Sequence, residues 1–123
     1  MQIELESIVK ALCAVRCAAA CSEEELHHEV ASALRNAGIE AVHEVRLAPR
    51  CRIDFLVGNI GIEIKKRRPD KGKLIAQLER YAACEQIGQL LVVAPRGVSL
   101  PKQLCGKPVA VFALERLWGI CLP

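Results

Sequence analysis

The spacing of hydrophobic residues changes along the chain, and each change marks a different predicted element. From about Ile3 to Ala20 apolar residues recur every three to four positions, which predicts an N-terminal helix. Ser22-Glu-Glu-Glu25 matches a capping box, in which serine and glutamate satisfy free backbone N–H groups at a helix start. A second helix is therefore predicted from Ser22 to Gly38, where glycine favours termination.

Short apolar runs bounded by turn residues follow the second helix and predict strands. These strands span about residues 41–47, 52–57, 61–65, 89–94 and 109–113. A helix is predicted at about 73–85, between the third and fourth strands, and a helical turn at about 114–118. The order of elements predicts an α/β fold in which helices flank a central mixed sheet.

Length and composition limit the class of protein. With 123 residues, 52% of them hydrophobic and 25% charged, the chain is expected to be one globular domain spanning residues 1–123. Its parts are an N-terminal helix (1–21), a core (22–94), and a C-terminal strand and helical turn (95–123). The net charge of +3 is too small to indicate nucleic acid by itself.

The N-terminal region and the cysteines suggest a location in the cell. Glu4 and Glu6 precede the apolar run, whereas a signal peptide begins with positive charge, and the run is too short to cross a bilayer. Cys13, Cys17 and Cys21 recur at helical spacing, yet no CxxC pair occurs, so buried reduced thiols are expected rather than metal ligands. We expect a cytoplasmic protein without a membrane segment.

Three charged residues interrupt the apolar runs of the second and third predicted strands. A Gly58-Asn59 turn predicts that these strands form an antiparallel hairpin, which places Asp54 nearly opposite Glu63, with Lys65 on the same face as Glu63. An exposed edge hairpin would leave such charges in water. The apolar residues on both faces instead favour a central pair, where carboxylates need a compensating cation. Oxygen ligands of this type suit Mg²⁺ or Mn²⁺.

Asp54, an eight-residue spacer and Glu63-Ile-Lys65 resemble the core motif of the PD-(D/E)XK nuclease superfamily. Gln77-Leu-Glu-Arg-Tyr81 is similar to the Gln-x3-Tyr motif of RecB-like members of this superfamily. The chain thus resembles the small RecB-like or Holliday-junction-resolvase-like members. The predicted order of elements from about Ser22 to Ala94 also resembles the restriction-endonuclease-like αβββαβ core. Ile53 stands where the family often has proline.

The resemblance implies a Mg²⁺-dependent deoxyribonuclease that hydrolyses phosphodiester bonds. Asp54, Glu63 and the Ile64 carbonyl are then metal ligands, and Lys65 is the catalytic lysine. Gln77 and Tyr81 contact phosphate or orient Lys65, although a packed tyrosine beside a solvated glutamine would give the same pattern. His27 resembles the helical histidine of RecB-like nucleases that lies near the metal; the other acidic or histidine candidates are Glu25, His28, Glu29 and, in the first strand, Glu44.

A basic segment directly follows the proposed site. Its predicted nucleic-acid contacts are Lys66, Arg67, Arg68, Lys71 and Lys73, together with Arg52 in the hairpin. A solvated basic loop would have the same composition. No GxxxxGK[ST] or GxGxxG motif occurs, so no nucleotide cofactor is expected.

Three questions about function stay open at the level of sequence. The alternative to a nuclease is a non-catalytic DNA-binding or assembly module on the same fold. RNA is an alternative substrate, and DNA repair, recombination and mobile-element processing, including structure-selective cleavage, are all compatible pathways. The small size favours a homodimer, with the Ala/Cys stripe of the N-terminal helix as the expected interface.

Overall fold

The computed structural model describes residues 4–16 and 21–115, which form an α/β fold with three helices and a six-stranded mixed sheet. The helices are α1 (Leu5–Leu12), α2 (Glu23–Asn36) and α3 (Lys71–Ala82). The strands are β1 (Val42–Ala48), β2 (Cys51–Val57), β3 (Ile60–Ile64), β4 (Gln89–Ala94), β5 (Gln103–Leu104) and β6 (Lys107–Ala113).

The sheet order is β1-β2-β3-β4-β6-β5. The first three strands form an antiparallel meander, whereas β3, β4 and β6 run parallel and β5 pairs antiparallel with β6. Because parallel neighbours need a crossover connection, α3 links β3 to β4. The mixed α/β sheet predicted from the sequence is confirmed.

Two apolar layers enclose the sheet. On one face, Phe55, Ile62 and Ile64 pack in one cluster with residues of α1 and α2. On the other face, Leu74 and Leu78 of α3 pack in one cluster with β-strand residues, among them Ile53, Leu90 and Val92. The strands β3 and β4 are buried on both faces, which explains their nearly continuous apolar sequence. The carboxylate of Glu63 therefore lies in the middle of the molecule.

The starts of α2 and α3 follow from side-chain caps. The Glu25 amide donates to Ser22 Oγ and the Ser22 amide donates to Glu25 Oε1, each at 3.0 Å, so the predicted capping box is confirmed. Asp70 caps α3 by accepting from the Lys73 amide at 2.9 Å. This cap starts α3 at Lys71, two residues before the predicted start, and the helix ends at Ala82 rather than at Glu85.

The N-terminal helix is shorter than predicted. It ends at Leu12, after which Cys13 and Ala14 form a turn, so a helix extending over the whole of residues 1–21 is wrong. Val15 is nevertheless buried, as the apolar stripe predicted. The remaining part of the predicted helix at residues 17–20 lies outside the described residues.

Other boundaries differ slightly, and one strand was not predicted. The short strand β5 precedes the last strand, and β6 begins at Lys107 instead of Val109. The predicted final helical turn is present at residues 114–115, and its continuation to Trp118 lies outside the described residues. In the described part of the chain, no helix has the length and apolar character needed to span a membrane.

The cysteines show mixed environments. Cys51 is buried, as expected of a small hydrophobe, whereas Cys105 is exposed. Cys21 is disulfide-bonded, so the expectation that all thiols are reduced is wrong at this position.

Candidate metal and catalytic site

The strands β2 and β3 separate at the residues that carry the candidate motif. Their antiparallel ladder runs from Val57 opposite Ile60 to Phe55 opposite Ile62, and then stops. The next amide along β3, that of Ile64, donates to Asp54 Oδ2 at 2.8 Å. A carboxylate thus accepts where the ladder would otherwise continue, so Asp54 lies in the opening between the two strands.

A break in strand alternation delivers Asp54 to this opening. Ile53 packs with the α3 layer, and Phe55 packs with the α1 and α2 layer, although residues two apart in a regular strand share a face. The ladder between β1 and β2 skips Glu44 and Asp54, and Glu44 has a left-handed backbone with φ of 55°. The regular pairing of β1 and β2 is therefore interrupted at this point, and the side chains of β2 change face.

Glu63 is held from two sides on the α3 face of the sheet. It is only 4% exposed. The Lys65 ammonium lies 3.1 Å from Glu63 Oε2, and Tyr81 Oη lies 3.1 Å from Glu63 Oε1. The predicted common face of Glu63 and Lys65 is therefore present in the structure.

Gln77 and Tyr81 form one hydrogen-bonded unit, one helical turn apart on α3. Gln77 Nε2 donates to Tyr81 Oη at 2.9 Å, and Tyr81 Oη donates to the Arg52 carbonyl at 2.8 Å. The unit thus links α3 to β2 and to Glu63. The unit contacts Glu63 through Tyr81, and Glu63 in turn contacts the Lys65 ammonium. Gln77 and Tyr81 can therefore orient Lys65 only through the Glu63 carboxylate.

Burial and charge shift the titration of these groups. Burial, and then the charge of Asp54, raise the pKa of Glu63 to about 7 against the attraction of Lys65. Burial also raises the pKa of Asp54, although its hydrogen bond from the Ile64 amide and the nearby His27 act the other way. Burial and the neighbouring Glu63 raise the pKa of Tyr81, which keeps its hydroxyl proton.

The hydroxyl of Tyr81 has one proton but two oxygen neighbours that can accept it. When Glu63 carries a proton, Glu63 donates to Tyr81, and Tyr81 donates to the Arg52 carbonyl. When Glu63 is ionised, it competes with that carbonyl for the single tyrosine proton. The hydrogen bond from Tyr81 and the ammonium of Lys65 both favour the ionised carboxylate, and burial together with the charge of Asp54 raises the pKa of Glu63 against them.

His27 reaches Asp54 from α2. Its Nδ1 lies 3.0 Å from Nε2 of His43, whose ring stacks on Phe55 with centroids 4.7 Å apart. Its Nε2 is buried without a hydrogen-bond partner and lies 3.8 Å from Asp54 Oδ2, beyond hydrogen-bonding distance. If His27 Nδ1 donates to His43, the Nε2 lone pair stands near the carboxylate with no donor between them.

These donors have the chemistry of a cation site. Asp54 and Glu63 are close enough for the charge of Asp54 to raise the pKa of Glu63, and an orphaned imidazole nitrogen adjoins Asp54. Within residues 4–16 and 21–115, however, no three His, Cys, Asp or Glu side chains are grouped so that they could hold one ion. The side chains fit a site in which two carboxylates hold the ion and other oxygens complete the coordination.

The remaining helix candidates have other environments. Glu25 is occupied by the cap of α2, and hydrogen bonds from Ser22 hold the pKa of its carboxyl below the usual range. Glu29 is exposed. His28 and Glu44 are also exposed but line a cavity of about 790 Å³ next to Asp54. Of the helix candidates, His27 is the one in contact distance of Asp54.

The predicted basic contacts are distributed around α3. Arg67, Lys71 and Lys73 are exposed, with both lysines in the first turn of α3. The guanidinium of Arg68 donates to the Arg96 carbonyl at 2.9 Å, so this side chain supports a loop. Lys66 is half-buried near Glu25. Arg52 is exposed and lies 3.8 Å from Glu44.

Sequence reasoning missed His43. It lies in β1, outside any motif, and it contacts His27 only because α2 packs against the sheet. Its position directly opposite Phe55 and one residue before Glu44 carried no signal in the sequence.

Comparison of the chain with family models, with curated proteins and with solved structures gave no match. The function is therefore argued from the geometry of this site and from the motif.

Proposed function

We propose that the chain is a divalent-metal-dependent nuclease of the PD-(D/E)XK type that hydrolyses phosphodiester bonds of DNA. One observation carries the proposal: Asp54 lies in the opening between β2 and β3, where it accepts from the Ile64 amide, and the Lys65 ammonium lies 3.1 Å from Glu63 Oε2. Burial, and then the negative charge of the half-buried Asp54, raise the pKa of Glu63. Such an arrangement costs stability in the free protein and is relieved by a cation.

Asp54, Glu63 and the Ile64 carbonyl would hold the ion, with His27 beside Asp54. When bound, Mg²⁺ or Mn²⁺ would acidify a water and offset the negative charge that develops on the phosphate. Asp54 keeps one oxygen occupied by the Ile64 amide and has the other oxygen for a ligand. The amide thereby fixes the direction of the carboxylate before any ligand arrives.

Lys65 is positioned to act on the phosphate that is attacked. Its side chain is 28% exposed, whereas that of Glu63 is only 5% exposed. A cation at this place stabilises negative charge in the transition state or orients the attacking water. Tyr81 holds the other oxygen of Glu63, and Gln77 supports Tyr81.

The order of elements supports the finer fold assignment. The sequence α2-β1-β2-β3-α3-β4 has the αβββαβ order of the restriction-endonuclease-like core. In that interpretation α1 is an addition before the core and β5 and β6 are additions after it. A cytoplasmic enzyme of repair, recombination or mobile-element processing that uses no nucleotide cofactor fits the same proposal.

The homodimer and its interface on the Ala/Cys stripe of the N-terminal helix stay a proposal. Ile8, Ala11 and Leu12 of α1 are buried within the same chain against the core. Of the described part of the Ala/Cys stripe, Cys13 is half-buried and Ala14 is exposed, and residues 17–20 lie outside the described residues. Sedimentation of the purified protein at working concentration tests the dimer, and a monomer excludes it.

A cleavage assay tests the proposal. Supercoiled, linear, single-stranded and four-way-junction DNA are incubated with the protein and Mg²⁺ or Mn²⁺, with and without chelator, and RNA is offered in parallel. We expect metal-dependent cleavage of DNA that Asp54→Asn and Lys65→Ala abolish. Glu40→Gln and Lys102→Ala, which change exposed residues, serve as charge-matched controls. Full activity of Lys65→Ala would exclude its catalytic role.

A non-catalytic DNA-binding module is the second candidate. It is favoured by the absence of a three-ligand group in the described part of the chain and by the Lys65 ammonium at the Glu63 oxygen, where it can replace a metal. Binding of DNA by the wild-type protein with no cleavage in either metal would support it. Cleavage of RNA but not of DNA would instead assign the alternative substrate.

A further inference from the structure

Four arginines surround a second cavity, on the other side of Tyr81 from Glu63. The cavity measures about 290 Å³ and is lined by Arg46, Arg50, Arg52 and Arg80, with Cys51, Gln77 and Tyr81. None of these lining side chains is acidic. We call this space the arginine cavity. It is built from β1, the β1–β2 turn, β2 and α3, so elements distant in sequence contribute to it.

The positive charges of the arginine cavity are almost uncompensated by the protein. Arg52 lies 3.8 Å from Glu44, and both side chains are largely exposed, so this ion pair is weak. Among the residues that the structure describes, Arg46, Arg50 and Arg80 form no ion pair. Unpaired guanidinium groups around one space attract an anion of matching size.

The backbone assembles this charge at a cost to stability. Arg46 and Arg52 are direct cross-strand partners, and like charges in that relation are destabilising. Arg50 adopts a left-handed conformation with φ of 60° in the Pro49-Arg50 turn, where glycine or asparagine is usual. A bound anion would offset the repulsion between the two arginines.

The cavity adjoins the proposed active site. Tyr81 lines the cavity, and its hydroxyl contacts both the Arg52 carbonyl and Glu63. Arg52 also lines the separate cavity that contains Asp54 and His27. A strand that lies across Arg52 would therefore contact both spaces.

We infer that the arginine cavity binds a backbone phosphate of a nucleic-acid strand, next to the phosphate that is cleaved. Guanidinium groups suit this ligand because they bind phosphate oxygens with two parallel hydrogen bonds. The nature of the ligand rests on the proposed nuclease function, whereas the anion site rests on the arginines alone. The cavity contacts phosphate and reads no base, since phosphate contacts carry no sequence information.

The test measures binding without cleavage. Anisotropy of a fluorescent oligonucleotide is recorded in Ca²⁺ over a series of salt concentrations for the wild type and for the double variant Arg46→Gln/Arg80→Gln. We expect the variant to bind about tenfold more weakly or worse at low salt. Its plot of log affinity against log salt should be shallower by about 0.7 to 0.9, the change expected when one phosphate is no longer neutralised.

Controls separate a local site from total charge. Lys10→Gln/Arg35→Gln removes the same charge from exposed positions in α1 and α2 and should leave the salt slope unchanged. Arg46→Lys/Arg80→Lys keeps the charge but loses paired hydrogen bonds, so it should restore the slope and part of the affinity. If circular dichroism shows that the glutamine variant does not fold, the lysine variant decides whether the arginines bind phosphate.

Distinct outcomes overturn the subsite, its polymer ligand and the nuclease proposal. Equal weakening in the Lys10/Arg35 control, or wild-type binding by the Arg46/Arg80 variant, overturns the subsite even if the wild type cleaves DNA. Inorganic phosphate or a mononucleotide that binds as tightly as the oligonucleotide overturns a polymer ligand. Arginine-dependent binding by a wild type that cleaves nothing supports the subsite and refutes the nuclease.

Discussion

Two cavities meet at Arg52, and their charges are opposite. The cavity beside Asp54 is lined by four acids, Glu23, Glu24, Glu44 and Asp54, and by His27, His28 and His43. The arginine cavity has four arginines and no acid. The hairpin of β1 and β2 contributes to both, which shows that one pair of strands can place cation-binding and anion-binding groups side by side. Phosphodiester hydrolysis requires both kinds of group.

The two regions also differ in hydration. Asp54 and Glu63 lose water on burial, so the pKa of each carboxyl is raised. Arg52 keeps 64% of its side chain exposed, and Arg46, Arg50 and Arg80 are exposed too. Strong charge effects therefore concentrate where chemistry is proposed, whereas the arginines hold a ligand at little desolvation cost.

The largest expected effect comes from removing one charge at the buried carboxylates. Glu63→Gln keeps the size of the side chain and a hydrogen-bonding contact with Tyr81 but weakens the grip on a divalent ion. We expect cleavage to fall at least about 100-fold, a loss typical of removing one electrostatic group from an active site. Initial rates on plasmid DNA with Mg²⁺ measure the change.

Glu44→Gln is the matched control for Glu63→Gln. Glu44 lines the acidic cavity, but its side chain is 48% exposed and its ion pair is with Arg52. An equal loss in both variants would mean that the acids act only through their total negative charge. The proposed role of Glu63 as a metal ligand, which Glu44 lacks, would then be wrong.

The stability of the metal-free protein should depend on pH through Glu63. The folded protein holds this proton with a pKa of about 7, against 4.5 for the ordinary group. The folded state thus binds more protons between these values, and stability falls as pH rises from 4.5 to about 7. We expect a loss of about 3 kcal/mol across that window, measured by urea unfolding.

Glu63→Gln isolates that dependence. The variant should lack this component of the pH profile, and the difference between its curve and that of the wild type reports Glu63 together with its interaction with Asp54. Mg²⁺ added above pH 7 should restore stability to the wild type and much less to the variant, because a ligand that binds the folded state stabilises it. Identical profiles for the two proteins would contradict the raised pKa.

Tyr81 contacts Glu63 and also lines the arginine cavity. Tyr81→Phe removes the hydroxyl that contacts Gln77, Glu63 and the Arg52 carbonyl. We expect about 1–2 kcal/mol of lost stability, since buried polar partners are left unsatisfied. Urea unfolding measures this loss, and Gln77→Ala, which removes one contact at a half-buried position, should cost less. The reverse order would show that Gln77 is the main support.

The smallest expected effect concerns His43, which lines the cavity beside Asp54 and does not line the arginine cavity. His43→Ala removes the partner of His27 Nδ1 and frees the His27 ring to turn. Mn²⁺ affinity, measured by titration calorimetry, should fall about tenfold, as is usual for groups that orient a metal ligand. His28→Ala lines the same cavity and should change little. Weaker metal-free DNA binding in His43→Ala would contradict this restricted role.

The sequence predicted the elements that local patterns control. The capping box at Ser22, the Gly58-Asn59 turn and strand β4 are present as predicted, because caps, turns and apolar runs act over a few residues. The common face of Glu63 and Lys65 follows in the same way from strand alternation. The extent of α1 was overestimated, since apolar spacing alone does not mark where a helix ends.

The site required information that local patterns lack. Strict alternation predicted Asp54 opposite Glu63 on a regular ladder, whereas the ladder ends before this pair and Asp54 accepts from the Ile64 amide. The irregularity involves Glu44 as well, which lies on another strand. It accompanies a change of layer within β2, where Ile53 packs with α3 and Phe55 packs with α1 and α2.

The sequence by itself determined which side chains are available: two acids and a lysine at motif spacing, Gln77 one helical turn before Tyr81, and many arginines in and after the hairpin. Only the tertiary structure decided their neighbours. It brought His43 to His27, turned Tyr81 towards Glu63, and gathered Arg46, Arg50, Arg52 and Arg80 around one cavity. Charge and burial at these places depend on contacts between distant segments, and such contacts follow from how helices pack on the sheet.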